Sequence, residues 1–147
     1  MKSFLIDPHV HTAEVSDCSH LSAARLVRLY RERGYDALVV TDHFTDEYFE
    51  ARGLRSLPWP ERIQRFLEGY RRAHWEGKRL PGSLNDYLVY GLDEKALAQS
   101  PPLCRLDLPA LSALVRREGG IVVQAHPFRP ACAPADPRLL DGGETFN

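Results

Sequence analysis

Cysteine is sparse, with three residues in the chain, and Cys18, Cys104 and Cys132 stand far apart with no C-x-x-C spacing. An odd number so placed builds neither a disulfide framework nor a zinc knuckle, so each reads as a reduced thiol. Long hydrophobic runs are missing as well: nothing approaches the roughly 18 consecutive apolar residues of a membrane span. Met1-Lys2-Ser3 passes into Phe4-Leu5-Ile6 and then Asp7, too short for a signal peptide's apolar region, and the expected location is cytoplasmic. Nor does one sign of charge dominate. With 19 Lys plus Arg against 20 Asp plus Glu the net charge is -1, so neither a membrane nor a nucleic acid, except as substrate, is expected as partner. What is present is apolar content, 44% of 147 residues, enough for the core of one domain over 1–147.

Apolar runs divide the chain, and several end in polar clusters. Residues 4–7 read as a buried strand opening into Asp7-Pro8-His9-Val10-His11-Thr12. A helix follows, capped by Ser22, with Leu26, Leu29 and Tyr30 on one face and Gly34 at its left-handed end. Ala37-Leu38-Val39-Val40 is a second strand, stopping in Thr41-Asp42-His43. Residues 46–60 read as irregular, and Pro60 starts a helix whose buried stripe is Ile63, Phe66, Leu67 and Tyr70. Tyr87-Leu88-Val89-Tyr90 is a third strand, and Leu111, Leu114 and Val115 mark a helix closed by Gly119-Gly120. Ile121-Val122-Val123 is a fourth strand, leading to His126-Pro127, and residues 130–137 read as a loop. Strands alternating with amphipathic helices predict a parallel sheet covered by helices, with ligands at the carboxyl ends of the strands.

Three of those strand ends carry histidine. His9 and His11 stand two apart on an extended segment, so both imidazoles face one side and can meet one ion. The alternative reading of the spacing is a pair of surface-loop histidines. His43 and His126 close the second and fourth strands, where Asp42 can order one turn and Pro127 stiffens the other. Taken singly each is an ordinary structural histidine; taken together, three strand ends delivering imidazole to one rim point to a shared metal site. Asp17 lies in a polar turn that could return an oxygen ligand to the site. His20 and His74 sit at no strand end and read as surface residues, and Arg62, Arg65, Arg71 and Arg72 as a solvated helix face. Arg129, three residues after His126, is placed to meet a phosphate.

The same motifs, with Gln124-Ala125-His126-Pro127-Phe128-Arg129 and Asn85-Asp86-Tyr87, occur in the order and spacing of the PHP (polymerase and histidinol phosphatase) family. The chain resembles its small stand-alone bacterial phosphoesterases over most of its length. That resemblance implies an α/β fold, an incomplete distorted (β/α) barrel of parallel strands and outer helices. It also implies divalent ions (Zn, Mn or Fe) held by His9, His11, Asp17, His43 and His126. The implied activity is hydrolysis of a small phosphate monoester or nucleotide by metal-activated water, with Arg129 as substrate clamp.

Two departures temper the match. Relatives carry a Gly-x-Glu segment before the Asn-Asp-Tyr block, whereas here Lys78-Arg79-Leu80-Pro81-Gly82-Ser83-Leu84 runs straight into Asn85. Asp93 and Glu94 follow the block and are poor substitutes for its bridging glutamate. Relatives also continue past the equivalent of Asp141-Gly142-Gly143-Glu144 to an Asp-x-His motif and the closing strands. An open sheet edge inviting self-association, and a coordination shell short of carboxylates, are the expected consequences. The alternative functional reading is a metal-binding but catalytically impaired remnant or interaction module. An amidohydrolase-like barrel is a third, weakened because Lys78 and Lys95, the only lysines beyond Lys2, follow no apolar run.

Overall fold

One helix separates the first two strands, and that sets their direction. The computed structural model describes residues 3–68, 77–79 and 85–145, so Tyr70, Arg71, Arg72 and His74 lie outside the described residues, as do residues 80–84. Strand β1 (Ile6–Val10) leads to α1 (Ala23–Glu32), which returns the chain to its starting end for β2 (Ala37–Val40). β1 and β2 therefore pair in parallel, Ile6 opposite Ala37 and Val10 opposite Val40, and their carboxyl ends share a rim. The Ser22 hydroxyl caps α1 by accepting from the Arg25 amide, and Gly34, at φ +80°, makes the left-handed turn that L side chains resist. The strand starts later than expected and carries His9 within it. Phe4, Leu5 and Ile6 are exposed, because nothing among the described residues covers that end of the two-stranded sheet.

The second sheet departs from the parallel expectation. Its order is β3 (Gly77–Arg79), β4 (Asp86–Tyr90), β5 (Ile121–Gln124) and β6 (Gly142–Gly143), with β3–β4 and β4–β5 antiparallel and only β5–β6 parallel. The cause is a helix that sequence periodicity did not reveal. Between β4 and β5 the chain makes α4 (Glu94–Gln99) as well as α5 (Leu108–Arg117), and it re-enters the sheet at the end it left, Tyr90 opposite Ile121. Among the described residues the structure is α/β, with five α-helices, two small sheets and no closed barrel.

That re-entry depends on Gly120. A Cβ there would run into the Tyr90 carbonyl oxygen and stand 2.9 Å from Val115 Cγ1. Because the Tyr90 backbone is held in the β4–β5 ladder, Gly120→Ala is expected to destabilise by about 2–3 kcal/mol, read from urea unfolding midpoints. A loss below about 0.5 kcal/mol, the range of an ordinary surface change, would contradict the close approach.

Residues 46–60 are more regular than expected. Thr45 caps α2 (Asp46–Ala51) by accepting from the Tyr48 amide, and α3 (Trp59–Glu68) begins one residue before Pro60. Both helices feed an aromatic cluster in which Phe44 meets Phe49, Trp59 and Phe66 edge to face, at 5.4, 5.7 and 4.9 Å between ring centroids. Ile63, Phe66 and Leu67 are buried as the stripe predicted, beside Leu97, Leu111, Val115 and Val122. Arg65 is exposed, but Arg62 donates to the Leu57 and Arg55 carbonyls and so pins α3 to its approach loop. Phe44 anchors the chain immediately after His43, so the core itself fixes the end of β2. The loop over 130–137 is tied down by Asn85 and the buried Gln124, whose side-chain amides both donate to the Ala133 carbonyl.

Candidate metal centre

Strand direction decides which side chains reach the rim. Parallel pairing brings the end of β1, with His9 and His11, beside the end of β2, with His43. In the second sheet the end of β5 carries His126. Antiparallel β4 places its first residue, Asp86, at that same end, where its carbonyl accepts from the Ala125 amide. Parallel β6 delivers Glu144 there too, its amide donating to the Gln124 carbonyl.

The four strand-end histidines form a continuous array. His9 and His11 approach to 2.9 Å between their Nε2 atoms, and ring centroids are 4.6 Å apart for His11 and His43 and 6.0 Å for His9 and His126. Two imidazole nitrogens at that separation must share a proton or turn their lone pairs on a common cation. Burial, then the neighbouring His43 and His9 rings, lower the pKa of His11 to about 4, so at neutral pH it is the uncharged imidazole that a metal requires. His126 is shifted down as well, first by burial and then by the Arg129 guanidinium, with Asp86 opposing. Its backbone is in the left-handed region at φ +32°, a strained conformation for a non-glycine residue. The buried Nδ1 of its ring has no hydrogen-bond partner among the described residues.

Carboxylates hold this array from outside. Glu144 accepts from His9 Nδ1 at 2.8 Å through one oxygen and from the His126 amide at 2.8 Å through the other. A carboxylate only accepts, so Nδ1 is the protonated nitrogen of His9 and Nε2 keeps its lone pair for the cluster. Asp86 lies 3.4 Å from His126 Nε2. Asp42, 2% exposed, accepts from the Thr12 amide, the Thr12 hydroxyl and the Ser16 hydroxyl, at 2.6, 2.5 and 2.6 Å, and so locks the loop after β1 to the end of β2. Tyr30 and Tyr90 clamp β1 by donating to Asp7 and to the Pro8 carbonyl, and burial foremost raises both phenols to about 12, so they remain donors.

Of the residues singled out in the sequence, His9, His11, His43 and His126 come together. Asp17 is exposed, and so is Cys18 on the same turn, where it lies near His11 and His43, the three donor atoms within 4.8 Å of one another. Arg129 is exposed at the rim, its amide donating to the His126 carbonyl. His20 is exposed, and Asp93 is consumed in capping α4, where it accepts from the Ala96 amide. The sequence reading missed Asp86, Glu144 and Cys18, although Asp86 was visible within the Asn-Asp-Tyr block. Clustered imidazoles with carboxylates behind them are a donor set that a divalent metal ion could occupy. No protein-family model matches the chain, and no curated protein matches it.

Proposed function

We propose that the chain is a metal-dependent phosphoesterase of the PHP type, built on an incomplete, distorted (β/α) barrel and acting on a small phosphate monoester or nucleotide. The observation that carries this reading is the convergence of His9, His11, His43 and His126, from three strand ends far apart in sequence, into one array. These histidines would hold the ions, with Glu144 fixing the tautomer of His9 and Asp86 flanking His126. Divalent ions, when bound, supply an activated water and neutralise phosphate oxygens. Arg129, exposed beside His126, would receive the phosphate through its planar guanidinium.

A second reading, metal binding without turnover, is favoured by one detail. Both oxygens of Glu144 are engaged by His9 and the His126 amide, so this carboxylate is placed to position ligands, and no other carboxylate stands where the family's bridging glutamate is expected among the described residues. One experiment separates the readings: metal analysis of protein reloaded with manganese or zinc, with hydrolysis of p-nitrophenyl phosphate followed alongside. Bound ion with turnover that a chelator removes is the expected result. Bound ion without turnover selects the second reading, and neither ion nor turnover overturns both.

A further inference from the structure

We propose that Cys18 is a metal ligand, completing with His11 and His43 a site of two imidazoles and one thiolate; this rests on the metal-binding reading above. The placement follows from the turn after β1. The Ser16 amide donates to the Thr12 carbonyl and the Ser19 amide to the Ser16 carbonyl, which folds residues 12–19 back on themselves. The Ser16 hydroxyl then donates to Asp42 and accepts from the His43 amide at 3.0 Å, so the turn is fastened to the residue that must share the ion.

The result is Cys18 Sγ at 3.5 Å from His43 Nε2. In a tetrahedral zinc site, with bonds of about 2.3 Å to sulfur and about 2.0–2.1 Å to nitrogen, the sulfur–nitrogen edge is about 3.6 Å. The Cys18–His43 edge already has that length, and all three donors lie within 4.8 Å of one another. On binding, the thiol gives its proton to solvent and the sulfur donates a lone pair to the ion. Thiolate with imidazole is a softer set than carboxylate with imidazole, so this position should favour zinc over manganese. Asp17, the preceding residue on the same exposed turn, would give a harder site.

Cobalt(II) reports the ligand type directly. Adding it to metal-free protein should give visible d–d bands together with a near-ultraviolet sulfur-to-cobalt charge-transfer band. In Cys18→Ser the charge-transfer band should vanish while d–d bands persist, and zinc affinity should fall about tenfold or more with little change for manganese. Because Cys18 is on the surface, the variant is expected to fold, which circular dichroism checks. Cys104 and Cys132 remain in the variant, so a charge-transfer band surviving the substitution would overturn the assignment to Cys18. Visible bands without charge transfer in the unsubstituted protein would also overturn it, leaving the histidine site intact. No cobalt spectrum at all would remove the metal-binding reading itself.

Discussion

Replacing Asp42 by alanine is expected to destabilise the fold by about 3–5 kcal/mol, because three donors would lose a buried charged acceptor together. The Thr12 amide, the Thr12 hydroxyl and the Ser16 hydroxyl all end on this carboxylate, 2% exposed, and none has water to turn to without opening the loop. For a domain whose whole stability is about 5–15 kcal/mol, that is a large fraction. A fall in melting temperature on the order of 10–15 °C follows from the size of the chain. Asp42→Asn keeps an acceptor oxygen but turns an amide donor toward the other groups, so it should lie between alanine and the parent. Thermal and urea unfolding measure both. A loss under about 1 kcal/mol for Asp42→Ala would show that water replaces the carboxylate and that the loop is not locked. The effect extends to the site, since the Asp42 contacts hold the His9–His11 segment against the end of β2.

The histidines were legible because each follows an apolar run, and a strand end is where such a fold exposes its ligating groups. Parallel pairing of β1 and β2 needed only one helix between them, and the Ser22 cap, the Gly34 turn and the leucine spacing of α1 all announce it. The carboxylates were hidden by topology. Asp86 opens β4, so in a parallel sheet it would stand at the end remote from His126; only the antiparallel β4–β5 pairing reverses this. That pairing depends on α4, a six-residue helix too short to show a clear helical period. Glu144 follows β6, and the two glycines of that strand carry no hydrophobic signal at all. Cys18 lacked a partner motif in sequence, because its neighbours in space are 7 and 25 residues away along the chain.

The largest functional effect is expected at His9 and, through it, at Glu144. His9→Ala removes a ring nitrogen that faces His11 at 2.9 Å, and metal-stimulated phosphomonoester turnover should fall by about hundredfold or more, about 2.7 kcal/mol or more of transition-state stabilisation. Glu144→Gln leaves every ring in place but exchanges an acceptor for an amide that can donate. Its oxygen can still receive the His9 Nδ1 proton or the His126 amide proton, and its NH2 group then confronts the other donor. Ligand orientation is lost without loss of a ligand, and metal affinity should weaken about 10–100-fold. Turnover at saturating metal should recover substantially in Glu144→Gln and not in His9→Ala. Titrating each variant with zinc while following hydrolysis gives that distinction. Equal, irreversible losses would mean that Glu144 acts on the reacting groups themselves, and an unchanged Glu144→Gln affinity would mean that His9 is oriented by its strand alone.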